Sequence, residues 1–237
     1  MVHIRVILLE PIYGGNIGAV ARVMMNFGFR DLVLVNPPPI DDEARAFASN
    51  AIALLESARI CERLEDATLD SNLLVGTTSK AGLTENRHVR MPVFSPKELK
   101  RMLEGKKGVV SLIFGRESSG LRVDELSRCD LIAVIPASAE YPVMNLSHAV
   151  AIFLYELQDL RPGSYPLAGR LDLDLLYEHI HEFLHKIPYP PHKREKTSLM
   201  IRRILGRAQL TGREVQTLRG VLKKAEIAIE GGERSKG

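Results

Sequence analysis

Tryptophan is missing from the 237 residues, and the only cysteines are Cys61 and Cys129. Two thiols cannot build a disulfide framework or a cysteine-rich zinc site. No apolar run approaches the roughly 20 residues that a membrane-spanning helix requires. Residues 1–11 are apolar but lack the basic start, longer apolar stretch and small-residue cleavage site of a secretory signal. No internal repeat is visible, and neither a Walker loop nor a dinucleotide-binding glycine fingerprint occurs. These absences point to a cytoplasmic globular protein with no membrane partner.

What is present is an ordinary globular balance, 45% hydrophobic and 26% charged. The length suits one α/β domain with an appendage, or two small domains. The charge is unevenly placed. Residues 1–160 hold 17 Lys and Arg against 20 Asp and Glu, whereas residues 161–237 hold 15 against 9. A basic tail on a slightly acidic body suits a polyanionic partner, and solubility alone would also account for it.

Short apolar runs at residues 2–9, 32–35, 73–76, 109–114 and 131–135 read as buried strands. Helical spacing falls between them. It begins with Ile17, Val20, Ala21, Met24 and Met25, where Asn16 is the expected cap. It resumes over residues 42–56, and again after Ser95, Pro96 and Glu98, which form a capping box with proline at the first helical position. A further helix is expected from Asn145 to about residue 160. The alternation predicts a mostly parallel sheet covered on both faces, with ligands beyond the carboxyl ends of its strands. Residues 161–170 read as a linker containing a Pro- and Gly-rich stretch, followed by helices near 173–187, 198–208 and 213–229. The division is therefore a domain over 1–160, the linker, and a basic helical extension over 171–237.

Three segments could carry chemistry. The first is Asn16-Ile17-Gly18 with Arg22, where Gly18 permits close backbone approach; a cap, a glycine and a surface arginine of no special role fit equally. The second is Phe114-Gly115-Arg116-Glu117-Ser118-Ser119-Gly120, a polar loop directly after a strand, which alone could be a connecting turn. The third is Tyr141 to Ser147, running into a helix that Asn145 or Ser147 could cap and whose free amides and dipole favour an anion, with Met144 and Leu146 able to line a slot for a flat ring. A capped core helix is the plain alternative.

Together and in this order, the three segments resemble the SpoU-like branch of the SPOUT methyltransferases. The resemblance rests on Asn16, Gly18 and Arg22; on Ile113, Phe114, Gly115, Arg116, Glu117 and Gly120; and on Met144, Asn145, Leu146, Ser147 and Ala149. It covers about the first 160 residues. Within the family the chain is most similar to the archaeal J-type tRNA methyltransferases, which carry a C-terminal helical extension.

The resemblance implies a parallel sheet with a C-terminal trefoil knot, which general folding rules would not predict. It implies a homodimer with active sites near the subunit interface, and S-adenosylmethionine as the methyl donor for a ribose 2′-hydroxyl of tRNA. By that likeness Thr77, Thr78, Gly115, Glu117, Ile135, Met144 and Leu146 bind the cofactor. Arg22, Asn16, Glu117 and Ser147 serve catalysis, with Arg22 beside the attacking hydroxyl. No metal is required, because a sulfonium already has a neutral leaving group. Arg22 and Arg116 are candidate RNA contacts, although Arg116 could pair with an internal carboxylate instead. Lys193, Arg194, Lys196, Arg202, Arg203 and Arg207 are the candidates in the tail, where a solvated helix face is the alternative. The expected target is nucleotide 32 of the anticodon loop, cytidine favoured. The other readings are a ribosomal RNA 2′-O-methyltransferase and a non-catalytic RNA-binding member of the fold.

One further pattern competes for notice. His181-Glu182-Phe183-Leu184-His185 matches the zinc-protease signature, with both histidines on one helical face. A third ligand would have to come from His192 or Glu195, beyond a proline-rich break, and no larger catalytic domain surrounds it. A metalloprotease is therefore not expected; adventitious metal binding suits the pattern better.

Overall fold

The structure is a computed structural model that describes residues 1–79 and 91–234. The elements run β1 (Val2–Leu9), α1 (Gly14–Asn26), β2 (Asp31–Val35), α2 (Asp42–Ala48), α3 (Ile52–Glu56), β3 (Arg59–Cys61), α4 (Leu64–Thr68) and β4 (Leu73–Thr77). They continue with β5 (Val93–Phe94), α5 (Pro96–Leu103), β6 (Lys106–Phe114), α6 (Val123–Arg128), β7 (Leu131–Ala133), α7 (Leu146–Leu157) and β8 (Tyr165–Pro166). Three helices close the chain: α8 (Arg170–Lys186), α9 (Arg194–Ala208) and α10 (Gly212–Arg234).

The strands pair in the order β3-β2-β1-β6-β4-β7-β5, all parallel, with β8 added to the start of β6. Side chains alternate between two cores, as a pleated sheet covered on both faces requires. In β1, Ile4, Val6 and Leu8 join the larger core with α1, α5 and α7, whereas Ile7 and Leu9 join the smaller one with Leu64 and Leu126. A later strand, β6, is inserted between β1 and β4, so the connections interleave. This arrangement is consistent with the trefoil-knot architecture that the resemblance implies. No helix among the described residues is long and apolar enough to cross a membrane.

The expected strands and helices are all found. The capping box at Ser95 is formed: its Oγ accepts from Glu98 N at 3.3 Å, and Glu98 accepts from Ser95 N at 2.7 Å. Several boundaries moved. Strand β6 begins three residues earlier than hydrophobicity indicated, at Lys106, because its polar start pairs with β8. The short strands β3 and β5 were not expected; β3 is largely exposed and so lacks an apolar signature. Residues 42–56 form α2, a 3-10 turn and α3, not one helix.

The predicted linker is not a free tether. Tyr165 and Pro166 pair with Lys106 and Lys107, Leu167 and Ala168 are buried, and Arg170 is only 4% exposed. The helices beyond it have a cluster of their own around Leu173, Leu176, Tyr177 and Val215. They are joined to the sheet through Asp130, which is wholly buried ahead of β7. Its carboxylate accepts from Leu74 N at 2.8 Å, from Arg170 Nη1 at 2.8 Å and from the Tyr177 hydroxyl at 3.1 Å. Burial alone would raise this carboxyl. The charges of Arg170 and Arg202 and its hydrogen bonds outweigh burial and hold it below the usual carboxylate range.

Candidate active site

Strands β4, β6 and β7 end side by side, and described residues just beyond their ends line a cavity of about 300 Å³. That volume is at the lower end for small-ligand sites. Thr77 ends β4, and its Oγ1 donates to the Ile113 carbonyl at 2.9 Å. Thr78 N donates to the Ala133 carbonyl at 3.0 Å. These bonds lock the three strand ends together. Phe114, Ile135, Met144, Leu146 and Phe153 give the cavity apolar walls, and the polar loop over residues 115–120 lines it as well. All seven residues expected to bind the cofactor, Thr77, Thr78, Gly115, Glu117, Ile135, Met144 and Leu146, line this cavity.

The loop over residues 115–120 is a tight turn. Gly120 N donates to the Arg116 carbonyl at 2.8 Å, and Gly120 has φ +66°, a conformation that favours glycine. Gly115 allows the turn to close: a Cβ there would lie 2.2 Å from the carbonyl carbon of Gly120. Arg116 pins the turn from beneath. Its Nε donates to Glu10 Oε2 at 2.7 Å, and its Nη atoms donate to Glu125 at 2.8 and 3.1 Å. The Glu125 hydrogen bond leads the influences that raise this guanidinium's pKa. At 8% exposure with three internal partners, Arg116 is a structural clamp and is withdrawn as an RNA contact. Glu10, at φ +48°, is held in a strained backbone conformation at the end of β1 beside this clamp.

Glu117 faces the other way. It accepts from Ile12 N at 2.9 Å, Tyr13 N at 3.4 Å and Asn16 Nδ2 at 2.8 Å. It thereby supplies a carboxylate to the start of α1, where negative charge is favoured. This replaces the expected cap. Asn16 lies inside the first turn of α1, and Tyr13 precedes the helix with no side-chain capping bond. Asn16 Oδ1 instead accepts from Asn145 Nδ2 at 3.0 Å, and Asn145 Oδ1 accepts from Ser147 N at 2.9 Å and Ser147 Oγ at 2.8 Å. Asn145 is the cap of α7, as its sequence position suggested. One hydrogen-bond relay thus joins all three segments: Glu117, Asn16, Asn145 and Ser147. Gly18 faces α2, where a Cβ would fall 2.0 Å from the Ala44 carbonyl oxygen, so the close approach it permits is between helices of one chain.

Beside the cavity, sharing Glu117, Val143, Met144 and Leu146 with it, lies a second, more open recess. Tyr13, Phe47 and Tyr141, all exposed, stand around it. Arg22 lies outside the lining of both. It is exposed, about 9 Å along α1 from Asn16 and on a different face.

The tail arginines divide. Arg203 is 2% exposed and donates to the carbonyls of Cys129 and of Leu126, the latter at 2.7 Å, so it braces the sheet and is withdrawn as an RNA contact. Arg202 lies 3.9 Å over the Tyr177 ring and donates to the Arg128 carbonyl at 3.2 Å, which commits it inward as well. Lys193, Lys196 and Arg207 are exposed, and Arg194 is half-buried. Sequence reasoning missed Glu10, Glu125 and Asp130; the partners of Glu10 and Asp130 are remote in the chain, and Arg116, nine residues before Glu125, is brought to it only by the turn at 115–120. The one available signal was charge placed against apolar runs.

Comparison with known proteins agrees with this geometry. The sequence model of the SpoU rRNA Methylase family matches residues 3–155, and that of the tRNA methyltransferase TrmJ C-terminal domain matches residues 171–234. The chain is 38% identical over 231 residues to the tRNA (cytidine-2′-O-)-methyltransferase TrmJ of Methanocaldococcus jannaschii, covering 94% of this chain and 100% of that one. It is 33% identical over 247 residues to the tRNA (cytidine/uridine-2′-O-)-methyltransferase TrmJ of Klebsiella pneumoniae, covering 97% and 98%. Among solved structures, TrmJ from Z. mobilis ZM4 superposes with a TM-score of 0.75 at 30% identity, covering 94% of this chain and 98% of that one.

Proposed function

The chain belongs to the SpoU rRNA methylase family, with a C-terminal region of the TrmJ type, and from that premise we propose how its cavity serves methyl transfer. The protein is an S-adenosylmethionine-dependent tRNA ribose 2′-O-methyltransferase. The observation that carries the reading is the cavity at the ends of β4, β6 and β7, lined by residues of the second and third characteristic segments and tied to the first through the Glu117–Asn16 hydrogen bond. The match of the TrmJ domain to residues 171–234 favours tRNA over ribosomal RNA as substrate. The relatives' names specify cytidine or uridine. The finer proposal is cytidine at nucleotide 32 of the anticodon loop.

The site suits the methyl donor. Its apolar walls fit a flat ring, and the polar loop that closes at Gly115 lines it beside them. Thr77, Thr78, Gly115, Glu117, Ile135, Met144 and Leu146 would hold S-adenosylmethionine, which supplies a methyl group on an electrophilic sulfonium. The protein must then align a ribose 2′-oxygen and accommodate loss of its proton. Glu117, Asn16, Asn145 and Ser147 act as a positioning relay. Arg22 stabilises oxyanion character on the ribose or holds a neighbouring phosphate; a guanidinium, ordinarily protonated, is a poor general base. Gly115→Ala is expected to weaken S-adenosylmethionine binding at least about tenfold by isothermal titration, because the turn must open around the added methyl.

A homodimer explains the position of Arg22. Within one chain it stands clear of the cavity, whereas exposed Ile12, Tyr13 and Met25 of the α1 region and Tyr155 of α7 offer an apolar face for a second copy. A dimer across that face would bring α1 of one protomer towards the cavity of its partner. Residues 1–160 form the transfer unit in this reading. The extension at 171–237 holds tRNA through Lys193, Arg194, Lys196 and Arg207, so affinity falls with salt.

The deciding experiment is transfer of labelled methyl from S-adenosylmethionine to unmodified tRNA, followed by nuclease digestion and mass mapping. The expected product is a 2′-O-methyl mark in the anticodon loop. A mark elsewhere in tRNA would overturn the proposed position, and transfer only to ribosomal RNA would overturn the substrate. No transfer despite cofactor binding would favour the non-catalytic reading.

A further inference from the structure

The zinc-like pattern set aside on sequence grounds acquires its third member in the fold. Helix α8 carries His181 and His185 one turn apart, with ring centroids 4.9 Å from each other. After the proline-rich break, α9 returns antiparallel enough to bring Glu195 beside them, its Oε1 3.8 Å from His181 Nε2. One donor atom from each of the three residues lies within 4.8 Å of those of the others. We propose that His181, His185 and Glu195 form a divalent-cation site of the zinc type that clasps α8 to α9.

Zinc held by two imidazoles and a carboxylate has bonds of about 2.0–2.2 Å, which sets its ligands about 3.4 Å apart. Rotation of the three side chains, of which His185 and Glu195 are exposed, covers the difference from the present separations. The surroundings favour it. His181 Nδ1 lies 3.3 Å from Ser198 Oγ, so a proton on Nδ1 donates to that hydroxyl and leaves Nε2 free to bind metal. The recess beside the site is lined by Asp174 and Glu178 as well as His181 and Glu195, and these carboxylates attract a cation. Lys196 and Arg202 on the same recess oppose it, and a metal with two neutral imidazoles must outweigh them.

Arg194 sets the cost of binding. Its Nη1 lies 3.2 Å from His185 Nδ1, a contact in which the guanidinium donates and His185 carries its proton on Nε2. Ligation through Nε2 moves that proton to Nδ1 and turns Arg194 away. The metal therefore couples to the freedom of a basic side chain on the tail. Water completes the coordination, and the methyl-transfer reaction requires nothing from the site.

The test uses the full chain, stripped of metal by chelator and titrated with zinc(II) by calorimetry, and with cobalt(II) by visible absorption. The expected result is one equivalent per chain and a tetrahedral cobalt spectrum. His181→Gln, His185→Gln and Glu195→Gln should each weaken binding by at least about tenfold, and Ser198→Ala by about tenfold. Zinc should raise the melting temperature of the wild type but not of the His181→Gln/His185→Gln double variant. Circular dichroism confirms that each variant remains helical. No saturable binding below about 100 µM overturns the proposal, as does binding that the double variant leaves unchanged. Loss of methyl transfer on chelation would overturn the separation of this site from the reaction.

Discussion

Arg22→Ala is expected to lower the turnover of methyl transfer by about 10²–10³-fold, with S-adenosylmethionine affinity within about twofold of wild type. The two parts of this expectation have different origins. The cavity is built without Arg22, so cofactor binding should not sense its loss. In the proposed reading the ribose oxygen gains negative character beside a phosphate that is already charged, and the exposed guanidinium pairs with one of them. Arg22→Lys should recover only a small part of the rate, since an ammonium keeps the charge but not the forked geometry. A rate that ignores Arg22 would sink both the oxyanion and the phosphate-holding roles. The dimer reading adds a mixing experiment. Co-assembled Arg22→Ala and Gly115→Ala protomers should regain activity if Arg22 serves the partner's cavity, and should not if it serves its own.

The second large effect concerns stability. Asp130→Ala is expected to destabilise the protein by about 3–5 kcal/mol, because it strands a buried guanidinium, a buried hydroxyl and a strand amide at once. For a chain of this size that corresponds to a melting temperature about 6–20 °C lower. Asp130→Asn should cost less, since the amide oxygen still accepts one or two of the three bonds. The pH dependence has a definite sign. The folded-state carboxyl lies below its unfolded value, so its stabilisation is complete above about pH 4 and is lost as pH falls through the folded value. Wild type should therefore lose stability in acid more steeply than Asp130→Asn, as read by denaturant melts across that range.

Local signals carried much of the fold and little of the wiring. The runs that became β1, β2, β4 and β7 announced themselves by apolar residues, and Ser95 and Asn145 by capping chemistry. The start of β6 did not, because Lys106, Lys107 and Gly108 owe their strand to neighbours far along the chain. The same limit explains Asn16. Its position before an apolar helix made a cap plausible, but the group serving that helix end comes from Glu117, 101 residues on. Arg116 and Arg203 looked like RNA contacts because sequence shows charge and hides burial. The cavity-lining residues were legible only as a resemblance. No spacing could reveal that Thr77, Gly115 and Met144 meet.

The relay from Glu117 to Ser147 also restricts how such a protein can drift. An ionised carboxylate only accepts, so Glu117 fixes which way the Asn16 amide faces, and Asn16 in turn fixes Asn145. Every donor in the row points the same way. Asn145→Asp would set an acceptor against the Asn16 oxygen. Turning Asn16 over would relieve that clash only by setting its oxygen against Glu117. Residues 16, 117 and 145 therefore form one hydrogen-bonded unit. A homologue that changes any of them should change its neighbour in the row as well, and a chimaera that exchanges only one of the three segments should inherit a mismatched amide.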